Sequence, residues 1–469
     1  VIRWAARRSA PWWAVVWLVA CEKKDDDVSS EAELRDPQVC AECHPDHVRE
    51  WSGSMHAYAA ADPLFRALEA RGQRETNGEL GNFCVNCHAP TAVELGLVST
   101  GADLDSVPEY LQGINCWFCH QVEAVDGTSN NPLVVSRDGV MRGAITDPVD
   151  NGLHAAAYSP LLDRDQRESS DLCGTCHDLV TPLGAHIERT HAEWQTSLFS
   201  QPAFGLNCGE CHMPGREGVA AETDDVVLRE VHDHSMPGVD IALGPFPEAE
   251  AQRALVQDLL DDTVTAYLCV APTVSELTLV SVNLENIAAG HSFPSGATSD
   301  RRMWVELRAF TGDVEIWSTG VIADDEPVDV AAEADPDLWR FGSTLLDVNG
   351  EPTHFFWEAA NITSDLLVAP TSTDPNSPAF VQTHVTRNFL VPAGVPDRIE
   401  LAVHIRPFPL VLVDELLASG DLTDPTLRDA IPTFTLEPTT LTWTFGMPPN
   451  AGDLSCVPAP PPETGIPSQ

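Results

Sequence analysis

The chain has 469 residues, with 71 Asp and Glu against 26 Lys and Arg, and a formal net charge of −45. So acidic a chain repels polyanions, which excludes nucleic acid as a partner and excludes binding to anionic membrane through a basic surface. The length allows two or three domains with sizeable cores, and 13 cysteines call for a covalent or metal-based explanation.

The first predicted element is an export segment at 1–20. "VIRWAARRSA" carries Arg3, Arg7 and Arg8, and the apolar run "PWWAVVWLVA" that follows is too short for an ordinary membrane span. It ends in "LVAC", which resembles a bacterial lipoprotein lipobox and makes Cys21 the expected lipidation site and mature N-terminus. Residues 21–37 then read as an acidic, unpatterned tether.

Residues 38–245 contain one pentapeptide pattern five times: "CAECH" at 40–44, "CVNCH" at 84–88, "CWFCH" at 116–120, "CGTCH" at 173–177 and "CGECH" at 208–212. Zinc does not require a histidine after every second cysteine. A redox dithiol needs one cysteine pair, not five. Covalent haem needs this arrangement: two thiols bond the porphyrin vinyl groups, and the adjoining imidazole reaches the iron. The sequence therefore predicts five haem c groups, attached through Cys40/Cys43, Cys84/Cys87, Cys116/Cys119, Cys173/Cys176 and Cys208/Cys211. The proximal ligands are His44, His88, His120, His177 and His212. Each porphyrin is a large apolar plate that replaces a core, so this domain is expected to be loop-rich, with short helices and little sheet.

A six-coordinate iron needs a second ligand. Eleven of the 16 histidines remain for that role. The stretches "EWSGSMHA", "LHAAAYSPLL", "HAEWQTSLF", "VHDHSMPGVD" and "AGHSFPSGATSDRR" around the motifs resemble the multihaem cytochrome c family related to hydroxylamine oxidoreductase and the tetrahaem cytochrome c of ammonia oxidation. The resemblance covers about residues 38–305. It implies distal ligation by His56 and His291, and His154 and His234 occupy similar places beside haem motifs. The fifth distal position goes to His232, with His186, His191 and His47 as alternatives. His56 lies twelve residues past His44, and a helix of that length would rise about 18 Å, so His56 is expected to serve a neighbouring haem. Arg216, Arg229, Arg301 and Arg302 are candidates for pairing haem propionates.

Residues 246–271 read as one connecting helix, with Leu255, Leu259, Leu260, Val264 and Leu268 at helical spacing. From 272 to 449, β-branched and aromatic residues alternate between Pro- and Asp-rich turns, which predicts an antiparallel, immunoglobulin-like β-sandwich. "LVLVDELLASG" is a late helix within it. His354, His384 and His404 lie in strand-like text and are read as structural. Residues 450–469 form a Pro-rich tail. Cys269 and Cys456 flank the sandwich, and an oxidising compartment permits a disulfide between them.

The fold class expected is thus a multidomain α+β protein, with a helical, loop-rich multihaem domain before an antiparallel sandwich. The expected function is electron transfer along a haem chain in a respiratory pathway. The protein would be an exported lipoprotein of the periplasm, outer membrane or cell surface. Its partners would be other cytochromes or membrane quinol oxidoreductases, and its membrane contact the lipid anchor. The alternative is an oxidoreductase acting on a small nitrogen or sulfur compound at one open haem. No "CxxCK" motif occurs and no lysine follows Lys24, so no catalytic residue is assigned.

Overall fold

Short helices dominate the first half of the chain because its helix signals come in short bursts, each started by a cap and stopped by a proline or a turn. The computed structural model describes residues 30–461, apart from 150–151, 272–276, 375, 379, 381–382 and 393–394. The predicted signal at 1–20, the lipidation site Cys21, most of the tether and the end of the tail lie outside the described residues.

The helices carrying or adjoining the cysteine motifs are Pro37–Ala41, Val85–His88, Cys116–His120, Glu168–Gly174 and Cys208–His212. In a helical turn, residues i, i+3 and i+4 share one face, so two cysteines and the following histidine point the same way. Asn115 caps the third such helix by accepting from Phe118 N at 3.1 Å. Asn207 and Glu210 form a capping box on the fifth. Among the described residues, the remaining sheet in this half is four two-stranded pieces, including the hairpin Asp178–Val180 with His186–Arg189. The one long helix of this half is Pro63–Glu75, capped by Asp62 and started by Pro63.

The connecting helix is shorter than the sequence predicts. It covers Ala249–Asp261, and Val264–Val270 is a strand. Residues i and i+4 fall on one side in both a helix and a strand, so Leu260, Val264 and Leu268 fit either period. The alternating burial of Val264, Ala266, Leu268 and Val270 belongs to the strand. The two-sheet region therefore begins at 264, not 272. It also extends beyond 449, because Ser455–Pro458 adds a strand beside Val264–Val270.

That region holds two antiparallel sheets. One has four strands in the order His384–Val391, Thr278–Asn286, Val264–Val270 and Ser455–Pro458. The other centres on Arg302–Thr311 paired with Arg398–Arg406, from Met303↔Ile405 through Ala309↔Ile399. Their inner faces share one core, which takes Leu268, Val282 and Leu284 from the first sheet and Met303, Leu307, Leu401 and Val403 from the second. The helix predicted in "LVLVDELLASG" is Leu410–Ser419. Its buried face packs with Leu64 and Ala67 of the long N-terminal helix. Cys269 and Cys456 are disulfide-bonded across adjacent strands.

Several contacts fix the two halves against each other. Thr181 donates to Ala359 O at 2.6 Å, and Arg301 grips Asp240 through two hydrogen bonds of 2.9 and 2.7 Å. Among the described residues no helix is long and apolar enough to cross a membrane.

Candidate cofactor centre

The histidines of the five motifs cluster together, four of them half-buried and His177 exposed over half its side chain. Four face a second imidazole. The ring centroids of His44 and His154 are 6.3 Å apart, with planes at 29°. His120 and His234 are 6.5 Å apart at 20°, and His212 and His291 are 6.4 Å apart at 10°. His177 and His56 are 6.3 Å apart, but their planes cross at 62°.

This separation has a direct meaning. A metal–imidazole bond is about 2 Å, and a ring nitrogen sits about 1.1 Å from its ring centre. Two imidazoles on opposite sides of one iron therefore have centroids about 6.3 Å apart. Stacked aromatic rings in direct contact sit closer, as Phe65 and His88 do at 4.1 Å. The centroid spacing of the four pairs is what one metal ion between each would require.

The electrostatics suit neutral nitrogen ligands. Burial pushes His56 and His291 down to about 4 and His234 to about 3, with neighbouring imidazoles adding to the effect. Burial also lowers His44, His88, His120 and His212, against a backbone carbonyl that each one faces. These carbonyls are Ala220 O for His44 at 2.6 Å, Ala59 O for His88 at 2.9 Å, Arg142 O for His120 at 2.5 Å and Pro237 O for His212 at 2.7 Å. Accepting from Nδ1–H, they leave Nε2 free to bind a metal. His177 differs. Burial pulls it down, but the hydrogen bond and charge of Glu188 outweigh that and raise it to about 9.

His88 faces no imidazole. All 16 histidines are described, and the ring against His88 is Phe65, nearly parallel to it at 10°. His232, the residue assigned to the fifth distal position, is half-buried near Arg164 and Glu230, and its carbonyl accepts from His234 Nδ1. Of the alternatives, His47 lies against His234 with centroids 4.8 Å apart. His186 is exposed. His191 stacks on Trp194 and bonds Asp171 at 3.2 Å.

The path to His56 also differs from the sequence expectation. The helix after His44 ends at Ser52, the chain turns at Gly53, and a new turn begins at Met55 with Ser54 as its cap. A side chain at Gly53 would collide with Glu248, its Cβ 2.6 Å from that of Glu248. His56 still ends beside a motif other than its own, because the turn directs it to His177.

Each arginine proposed for propionates already has a carboxylate partner: Arg216 with Glu50 at 2.5 Å, Arg229 with Asp147 at 3.0 Å, Arg301 with Asp240 at 2.7 Å and Arg302 with Asp329 at 2.8 Å. His354, His384 and His404 sit beside Glu415, Glu285 and Glu306 in the two-sheet region, away from the motifs.

The motifs are closely packed. The thiols of Cys40 and Cys116 lie close enough to shift each other's ionisation, as do those of Cys87 and Cys176 and of Cys173 and Cys208. Cys119 lies near enough to Cys176 for its thiol to feel that charge. The fourth motif therefore neighbours the second, third and fifth. Sequence reasoning did not single out Glu188. Its partner His177 is on the opposite side of a hairpin, and nothing in "HIER" marks the glutamate as aimed at a motif.

Comparisons with known proteins bear on the fold and on the first three motifs. The sequence profile of the family described as "Cytochrome c554 and c-prime" matches residues 39–121. The fold is similar to the crystal structure of a penta-haem cytochrome c552 from Thermochromatium tepidum, with a TM-score of 0.60 and 20% sequence identity, covering 87% of this chain and 98% of that one. No match was found among curated proteins. The chain thus has a multihaem cytochrome fold in which the helical half and the two sheets are both matched.

Proposed function

We propose that the protein is an electron-transfer cytochrome with haem c attached at all five cysteine motifs. The observation that carries this reading is the set of four facing imidazole pairs, each spaced for one iron and each containing a motif histidine. When bound, haem c supplies one-electron Fe(III)/Fe(II) exchange, at a potential set by its axial ligands and surroundings. The chain's own residues do the rest. Cys40 and Cys43, with their counterparts in the other motifs, provide the attachment thiols, and attachment at the first motif takes the place of the disulfide that Cys43 forms in this structure. The motif histidines provide the proximal nitrogens, and His56, His154, His234 and His291 the distal ones. Backbone carbonyls hold most of these rings in the tautomer that presents Nε2. Mass spectrometry of the mature protein should find five haem additions that acid-acetone does not extract. Unmodified cysteines with bound zinc would refute the reading.

A second reading concerns His88 alone. With no imidazole opposite it, its haem would keep one position open to a small ligand, as an oxidoreductase of small nitrogen or sulfur compounds requires. Carbon monoxide should bind the reduced protein at one haem in five. No binding would rule out the open site.

The export segment supports a lipoprotein anchored through Cys21 outside the inner membrane, exchanging electrons with other cytochromes or quinol oxidoreductases. Cys21→Ser should release a soluble, haem-loaded protein. A wild-type protein that is already soluble after signal cleavage would remove the anchor from the account.

A further inference from the structure

We propose that Glu188 is a positioning residue for the His177–His56 site, and that its carboxylate gives that site the lowest potential of the four paired ones. The inference rests on the reading of the motifs as haem sites. Its basis is a census of what holds each imidazole.

Nine rings take part: five proximal and four facing them. Seven have Nδ1 on a backbone carbonyl. Four are the proximal rings already described, and the others are His154 on Ala155 O at 3.2 Å, His234 on His232 O at 2.9 Å and His291 on Ser292 O at 3.0 Å. The two exceptions face each other. His177 has Nδ1 at 3.1 Å from Glu188 Oε1, and His56 has Nδ1 at 2.9 Å from Met236 Sδ. This is also the one pair with crossed planes, at 62° against 10° to 29° elsewhere.

Glu188 is well placed to act on His177. Its side chain is 13% exposed, and its strand pairs with Asp178–Val180, which follows His177 directly. The nearby Arg301 is occupied by Asp240, with hydrogen bonds of 2.9 and 2.7 Å. The carboxylate is therefore directed at His177 rather than neutralised by a guanidinium of its own. A carboxylate that accepts from Nδ1–H makes the opposite nitrogen a stronger donor than a carbonyl does. A stronger donor favours Fe(III), and a nearby negative charge favours it further. Met236 supplies a weak acceptor on the other side, so the donor strength of the pair comes from His177. The site neighbours the second, third and fifth motifs. A low potential there would make this junction the least favourable stop on the path and would hold electrons on either side of it.

Crossed planes make the site identifiable. When the axial rings are parallel, they split the iron orbitals that overlap with them, and the oxidised site gives a rhombic signal. When the rings are crossed, those orbitals stay nearly degenerate and one large-g signal results. Electron paramagnetic resonance during a redox titration of the whole protein can thus follow the His177–His56 site separately. In the wild type, the large-g signal should be the last of the low-spin signals lost on reduction. In Glu188→Gln, its Fe(III)/Fe(II) ratio at fixed potential should fall about tenfold, a rise of about 59 mV. The three rhombic sites should stay in place, and Glu188→Asp should restore part of the shift. A large-g signal that reduces before the rhombic ones in the wild type overturns the proposal without any variant. So does a Glu188→Gln protein with unchanged potentials, or one in which all sites shift together. If the wild type lacks covalent haem altogether, the underlying reading fails instead, and the absorption spectrum shows this before any titration.

Discussion

The two halves of the molecule solve the problem of a core differently. In the two-sheet region, one continuous apolar core runs from Val256 to Trp443, fed by alternating strand residues. Between Gly113 and Gly244, only Ala185 and Ile187 belong to a buried apolar cluster among the described residues, and that cluster also uses Leu345 and Ala359 from the sheets. That stretch instead gathers half-covered histidines and cysteines about one another. A stretch that clusters imidazoles with little apolar core of its own depends on what those imidazoles hold, whereas the sheets, and the apolar cluster between Ala60 and Leu111, depend on their own side chains.

The strongest way to break this comparison is to withhold the cofactor. Protein made without haem attachment should lose protection from hydrogen exchange across residues 113–244 while residues 264–458 keep theirs. Equal protection in both halves would show that the helical half has a sufficient core of its own. A smaller effect of the opposite kind comes from Leu284→Ala. Leu284 is fully buried, so its truncation should cost about 2–5 kcal/mol. Urea unfolding followed by tryptophan fluorescence should show the loss, with the haem absorption of the folded protein unchanged. Removing both Cys269 and Cys456, which close a span of 187 residues, should cost a similar 2–5 kcal/mol in the same region.

The smallest effect sharpens the comparison within the helical half, where polar pins tie the segments around the motifs together. Asn115 is 1% exposed, accepts from Thr91 and Phe118, and donates to Arg35 O and Tyr110 O. Asn115→Ala should cost about 1–3 kcal/mol in thermal unfolding monitored at the haem band. A neutral result would mean that the haem alone organises this segment.

The legibility of these features follows their range in sequence. The cysteine motifs are local chemistry, complete within five residues, and are fully visible in the sequence. The strands are visible through alternation, except where one spacing serves two periods, as at Val264 and Leu268. The pairing of histidines is long-range. His56 meets His177, and His212 meets His291, because of turns such as that at Gly53 and a loop that enters from the sheets. No local pattern reports such a meeting. His232 and His234 show the same limit: two histidines in "VHDH" look alike in sequence, but His234 faces His120 and His232 supplies a carbonyl to it. Glu188 was invisible for the same reason, since its role comes from a hairpin partner rather than from its neighbours.

The central claim is that four irons sit between two imidazoles and a fifth has His88 alone. Spin quantitation by electron paramagnetic resonance of the fully oxidised protein tests it most directly. The account predicts four low-spin irons and one high-spin iron per chain, with one of the four giving the large-g signal of crossed rings. Five low-spin irons, or fewer than four, would contradict it.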